Sequence, residues 1–206
     1  GDPFNQILYT KSINNIKSLN FFENVSAEVI DGTKFNSKII NLTVTEKATG
    51  EIFAGVGTGT NGSNLSFGIK ENNYLGRGVQ IDSDLSLSET RIKGKLQISN
   101  PNYKNSDKSV FISAEALEND KYKTFGYKTN KTGINIGTNF EYLNDFYLGI
   151  SNSHFYEKIE TNSTASTRQQ AQEGNYWDSF IKLKMNYDKR DQKFQTSSGF
   201  KSFYSL

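Results

Sequence analysis

The residues that ordinarily do chemistry are few in this chain, and poorly spaced for it. The single histidine, His154, lies in a strand-like run, 151–156. A hydrolase of the Ser–His kind needs its imidazole beside a nucleophile, with a second group to orient the ring. No serine near His154 has the setting of a nucleophile elbow, and no acid is placed to orient it. Cysteine is absent, which removes disulfides, thiolate metal ligands and thiol nucleophiles together. Gly55-x-Gly57-x-Gly59 has part of a dinucleotide-loop pattern, but no helix follows and the third spacing is wrong. A strand whose one face is all glycine explains it better. The carboxylates are scattered without metal-ligand spacing, and Asp188-Lys189-Arg190-Asp191 reads as a solvated turn. The expectation is a protein that is not an enzyme and has no cofactor or metal.

Attention therefore shifts to the elements. The 206 residues suffice for one large domain or two small ones, and the hydrophobic fraction is only 34%. Aromatics at 13% and only 2 prolines argue against disorder. A net charge of +2 gives no electrostatic case for nucleic acid, which calls for a concentrated basic face. No window approaches 18 uninterrupted apolar residues, which excludes a transmembrane helix. A transmembrane strand needs only about 9–11 residues with one apolar face, so it stays open. No signal peptide opens the chain at Gly1-Asp2-Pro3-Phe4. It is either cytosolic or the interior of a longer chain, and the second is expected.

Residues 1–47 differ from the rest. Phe4, Ile7, Leu8, Ile13, Ile16 and Leu19 have mostly helical spacing, with Asp2 as N-cap and Pro3 as first helical residue. Two strand-like runs follow, 25–30 and 38–46, separated by a turn at Asp31-Gly32-Thr33. From Glu51 onward the period is 2. Val79, Ile81, Leu85 and Leu87 alternate with Gln80, Asp82, Asp84 and Ser86, and Ile92, Leu96 and Ile98 with Arg91, Lys93, Lys95 and Gln97. Comparable alternation at 134–142 and 177–187, with runs at 51–59, 64–73, 109–119 and 144–157, gives about eight strands. A ninth begins near Thr196. One-face alternation over most of a chain signals antiparallel all-β.

Alternation alone does not choose between a membrane barrel and a soluble, lipocalin-like one. Three features favour the membrane. The strands are long, about 10–14 residues against a usual mode of about 5–6. Connections alternate in character: 61–62, 88–90, 119–130 and 159–175 on one side, and 72–78, 100–108, 143–145 and 188–198 on the other. The first set holds the longest, most polar loop, as an extracellular side would. Tyr74, Tyr103, Tyr142, Phe146, Tyr147 and Tyr187 cluster near strand ends on the second side, where headgroups favour amphipathic rings. In the alternation, Leu65, Phe67, Ile69, Ile181 and Leu183 belong to the lipid face, and Asp82, Asp84, Lys93, Lys95, Lys182 and Lys184 to the lumen.

Several segments resemble the BamA family of outer-membrane β-barrel assembly factors, whose periplasmic POTRA modules precede a sixteen-stranded barrel. The opening Gly-Asp-Pro-Phe-Asn, with Leu19-Asn20-Phe21-Phe22-Glu23-Asn24-Val25, resembles the second helix of the last POTRA module and the strand after it. Ala48-Thr49-Gly50-Glu51 is similar to the junction into barrel strand one. Glu71-Asn72-Asn73-Tyr74-Leu75-Gly76-Arg77-Gly78, Asn100-Pro101-Asn102-Tyr103, and Tyr187-Asp188-Lys189-Arg190-Asp191 with Thr196-Ser197-Ser198-Gly199-Phe200 resemble later barrel turns.

The resemblance implies a partial POTRA module at 1–47, a helix plus a β-hairpin, and the N-terminal half of an outer-membrane β-barrel at 48–206. The chain is then a fragment cut at both ends, mainly β and antiparallel, holding the first eight or nine strands. It implies a core subunit of the assembly machinery that folds and inserts β-barrel proteins. The barrel would lie in the outer membrane and the N-terminal module in the periplasm. The partners implied are unfolded outer-membrane protein clients, assembly lipoproteins and outer-membrane lipid. Strand one, Ile52, Phe53, Ala54, Gly55, Val56, Gly57, Thr58 and Gly59, would be the edge of a lateral seam where client strands template. Lys38, Ile39, Ile40, Asn41, Leu42, Thr43 and Val44 would offer a docking edge to a client or partner strand. A related POTRA-barrel secretion pore or autotransporter-assembly protein is the alternative, and an outer-membrane barrel enzyme a further one.

Overall fold

The computed structural model describes residues 3–34, 37–59, 62–190 and 196–206. The chain divides into two compact units, Gly1–Gly50 and Glu51–Leu206.

The first unit opens with helix α1 (Gln6–Ser18), capped by Asn5. The Asn5 carboxamide oxygen accepts from the N–H groups of Ile7 and Leu8 at 2.9 and 3.1 Å. The helix therefore starts later than Asp2 and Pro3 suggested. Asp2 lies outside the described residues, and Pro3 precedes the cap. The cause is local: Asn5 satisfies two of the orphan first-turn donors, and the Phe4 ring before it meets Tyr9 in the next turn at 5.9 Å. Strands β1 (Phe22–Asp31) and β2 (Lys38–Glu46) form an antiparallel pair, Ile30 opposite Ile39 and Val25 opposite Val44. Tyr9 ties α1 to the hairpin by donating its hydroxyl to the Ala27 carbonyl at 3.1 Å.

The second unit is one nine-stranded antiparallel sheet. Its strands are β3 (Gly50–Gly59), β4 (Gly62–Tyr74), β5 (Val79–Ser88), β6 (Arg91–Asn100), β7 (Lys108–Lys121), β8 (Tyr127–Leu143), β9 (Phe146–Thr161), β10 (Gly174–Asp188) and β11 (Lys201–Ser205). Strand order is sequence order, so each hairpin follows the last and the sheet is open, ending at β3 and β11. Asn61 of the expected turn at 61–62, and residues 191–195 of that at 188–198, lie outside the described residues. Two connections are shorter than the sequence suggested. Pairing continues to Lys121 opposite Tyr127, and to Ile159 opposite Gly174, because Thr, Asn and Lys continue a ladder as readily as they form loops. Short helices α2 (Tyr122–Phe125) and α3 (Thr167–Gln170) complete those connections.

Register fixes the faces. On one face lie Leu65, Phe67, Leu85, Leu87, Ile92, Leu96, Ile98, Ile112, Ile134, Ile136, Ile181 and Leu183. On the other, Asp82 opposes Lys70 and Gln97, and Asp84 opposes Lys95, with Lys93, Lys182 and Lys184 sharing that side. The buried residues are all small: Gly68, Gly126, Gly149 and Ala165, with Ser113, Ser151 and Ser153 at 2, 8 and 4% exposure, the three serines on the charged face. Among the described residues Ala165 is the one buried hydrophobic residue. A water-soluble barrel would bury its large aliphatic residues. This sheet presents them outward.

Three aromatic rings occupy the Cβ positions of glycines on the neighbouring strand, on the charged face. Phe111 opposes Gly137 and Phe155 opposes Gly133. The Phe53 ring fills the place a Cβ on Gly68 would take. A side chain on any of these glycines would collide with a ring, and at Gly133 and Gly137 with backbone oxygen as well. Glycine is needed there for close approach rather than for flexibility.

Candidate functional site

The expected seam strand, β3, lies at the end of the sheet and, among the described residues, has β4 as its one strand neighbour. Phe53 over Gly68, and Gly55 beside the Ser66 hydroxyl, put Phe53, Gly55, Gly57 and Gly59 on the charged face. Ile52, Ala54, Val56 and Thr58 are then on the apolar face. The strand is unevenly held. At its start the Phe53 ring is seated on Gly68, and Ser66 donates its hydroxyl to the Gly55 carbonyl at 3.3 Å. Beyond Gly55 packing fails: nothing lies within 4 Å of the Cβ positions of Gly57 and Gly59, and Val56 is 86% exposed. A hollow of about 640 Å³ bordered by Val56, Thr58, Leu65 and Leu87 adjoins this stretch. A second, of about 330 Å³, is lined by Gly57, Gly59, Ser86 and Arg91.

The other expected edge, β2 from Lys38 to Val44, pairs with β1 and has no second strand neighbour among the described residues. All nine of its residues are exposed.

His154 does meet a serine: its Nδ1 is 2.8 Å from the Ser179 hydroxyl. The pair is on the apolar face, between Ile134 and Ser179 across the strands, not on the side where the enzyme reading requires it. Neighbouring positions on that face are Asn152, Tyr156, Trp177 and Ile181, with no carboxylate to orient the ring. No group of three or more His, Asp or Glu among the described residues is arranged to hold a metal.

The sheet also carries features that the alternation did not reveal. On the charged face, Lys131 reaches Glu157 and Asp178 at 3.7 and 3.3 Å and lies 5.0 Å from the Phe155 ring centre. Phe155 in turn stacks on Phe180 at 5.9 Å. These contacts balance charge within the wall. On the apolar face, the Tyr156–Trp177 ring pair at 5.2 Å borders an ionic ladder in which Lys128 joins Glu118 and Asp120, and Lys158 joins Glu160. Rings followed by ions are what a hydrocarbon band meeting headgroups requires. The sequence argument placed a girdle only at the opposite strand ends, and of its members Tyr147 is on the charged face, opposite Asn186. Parity at the strand end, beyond the clean alternation, was the available signal for Trp177.

A hairpin meander with long strands, one exposed aliphatic face and one charged face has the pattern of a transmembrane β-barrel wall. The Omp85 superfamily domain matches residues 73–204, and the chain belongs to that superfamily. The fold is similar to that of BamA from Haemophilus ducreyi, solved without POTRA domains 1–3: the TM-score is 0.75 at 16% identity. The match covers 96% of this chain and 41% of that one, so this chain spans less than half the length of that relative. No curated protein matches the sequence.

Proposed function

We propose that this chain is part of an outer-membrane factor that folds and inserts other β-barrel proteins, with β3 as the templating edge of a lateral seam. The observation that carries the proposal is the state of β3. Among the described residues it ends the sheet with one strand neighbour, and the Cβ positions of Gly57 and Gly59 have nothing within 4 Å. An exposed edge is ordinarily a liability that proteins blunt with charge, proline or cover. Residues 51–59 have Glu51 at their start and neither charge nor proline after it. Glycine weakens a strand by about 0.5–1 kcal/mol each relative to alanine, so Gly55, Gly57 and Gly59 favour an edge that exchanges partners. Membership of the superfamily and the BamA-like fold support outer-membrane protein assembly as the kind of function and the outer membrane as the place.

In this reading the apolar face meets lipid and the charged face lines the lumen. Unit 1 is a partial POTRA module whose edge, Lys38 to Val44, receives client or lipoprotein strands by β-augmentation. The work is strand exchange rather than covalent chemistry. The test uses the full-length protein with Thr58→Cys and a stalled client carrying one cysteine in its terminal strand. A disulfide should form between them. Locking the seam shut through the same position should block client insertion, whereas efficient insertion with the seam locked would overturn the proposal.

A further inference from the structure

We infer that the apolar face carries a site for one anionic phospholipid, with an acyl chain seated in a hollow across β6 to β9 and the phosphate held by Lys104 and Lys108 at the strand ends. The inference rests on the reading that this face meets lipid, and it assigns one place on that face.

Three observations carry it. First, a hollow of about 650 Å³ opens there, within the roughly 300–1,000 Å³ of ordinary ligand clefts. Two neighbouring cross-strand rows of the apolar face form its floor. Ile98, Ile112 and Ile136 make one across β6, β7 and β8, and Val110, Thr138 and Ile150 make the next across β7, β8 and β9. The one hydroxyl in those rows, on Thr138, donates to the Ser109 carbonyl at 2.8 Å, which leaves the floor without a free donor.

Second, the end of the hollow nearest the strand termini is amphipathic and cationic. The next row outward starts with Lys108, opposite Phe140 on the same face. Tyr103 lines the hollow from the connection between β6 and β7, and the Lys104 Nζ lies 5.5 Å from its ring centre. A phenol ring above hydrocarbon, flanked by amines on long stems, suits the layer in which lipid esters and phosphates lie.

Third, these two amines have no internal counter-charge. At the opposite rim of the same face, Lys128 and Lys158 are neutralised by Glu118, Asp120 and Glu160. Among the described residues neither Lys104 nor Lys108 pairs with a carboxylate, Asp107 beside Lys108 included. Two unpaired cations beside an apolar floor specify an occupant with an anionic head and a hydrocarbon tail. A zwitterionic lipid brings its own cation to the same place and gains less. A lipid held there fixes the height of this part of the wall in the bilayer, at the end of the sheet where β3 begins.

The experiment maps lipid contact on the full-length protein in vesicles. Phosphatidylglycerol or phosphatidylcholine with a photoactivatable acyl chain is included as a trace component, and crosslinked peptides are quantified by mass spectrometry. Label at 98–112 and 136–150 is normalised to label at 65–69 and 181–183, which share the apolar face outside the hollow. The normalised value should be roughly tenfold higher with phosphatidylglycerol than with phosphatidylcholine. Lys104→Gln and Lys108→Gln should each lower it about fivefold, and Lys108→Arg should keep it. Ile136→Phe, which fills the hollow and leaves the charges alone, should remove the enrichment with both lysines in place. Equal normalised labelling by the two lipids, or an enrichment that survives Ile136→Phe or the loss of both lysines, would overturn the site while leaving the membrane face intact. Absence of label along the whole apolar face, 65–69 and 181–183 included, would instead overturn the reading that this face meets lipid. Both lysines are exposed turn or strand-end residues, so their variants should fold. Should Ile136→Phe fail to fold, Ile98→Phe makes the same test.

Discussion

Placing arginine at two adjacent positions of one strand tests the assignment of faces directly. Leu96 and Gln97 are neighbours in the middle of β6, Leu96 on the apolar face opposite Ser83 and Ala114, Gln97 on the charged face opposite Asp82 and Ser113. If the apolar face meets hydrocarbon, Leu96→Arg costs about 2–4 kcal/mol for a cation near the bilayer midplane. Leu96 is 46% exposed, so close to half of its side chain faces the surrounding phase. Full burial of a leucine is worth roughly 1.5–3 kcal/mol, so losing that half adds about 1. The sum, about 3–5 kcal/mol, is roughly two to three and a half decades in the folding equilibrium at 1.4 kcal/mol per decade. Gln97→Arg adds a cation to a wet wall beside Asp82 and should change stability by less than about 0.5 kcal/mol. Reversible denaturant unfolding of the full-length protein in phospholipid vesicles reads both, with the heat-modifiable mobility of folded barrels as a second observable. If Leu96→Arg is tolerated as well as Gln97→Arg, or if the order is reversed, the assignment of faces is wrong.

Two further outcomes concern the glycine notches and the β2 edge. Gly133→Ala, whose new methyl group would meet the Phe155 ring and the His154 carbonyl, should destabilise by about 1–3 kcal/mol, whereas Gly94→Ala, with open space around it, should be neutral or stabilising; vesicle unfolding midpoints compare them. Amides of residues 38–44 that do not pair with β1 should exchange rapidly in the protein alone and become protected when a client or lipoprotein strand is added. Uniform protection of that stretch without a partner would remove β2 as a docking edge.

The fold was largely legible because a one-faced strand announces its parity residue by residue. Ile81 with Asp82, and Leu96 with Lys95, state both the strand and its two environments, and a hairpin meander leaves little topological choice. What could not be read were contacts whose cause lies across a strand pair. Phe53 and Gly68 sit on different strands and neither is unusual alone, so the ring at the Gly68 Cβ position was not foreseen. The helix start was misplaced for a related reason: Asp2, Pro3 and Asn5 all fit a cap by type, and only the hydrogen bonds to Ile7 and Leu8 select Asn5. The Ser179 neighbour of His154 likewise depends on the β9–β10 register, which no single-chain pattern supplies.

The rings set on glycines have one more consequence, concerning the girth of the barrel. A strand can slip against its neighbour only by an even number of residues if its faces are to be kept. A shift of two would bring Phe155 from Gly133 onto Lys131 or Asn135, and Phe111 from Gly137 onto Asn135 or Asn139, each of which carries a side chain where the ring must lie. The notches therefore index the stagger between β7, β8 and β9 as teeth index a gear. For a closed barrel of given strand number, accumulated stagger sets the tilt and hence the radius. In a closed barrel, a few glycines, chosen for what they lack, would thus gauge the width of the opening that the wall encloses.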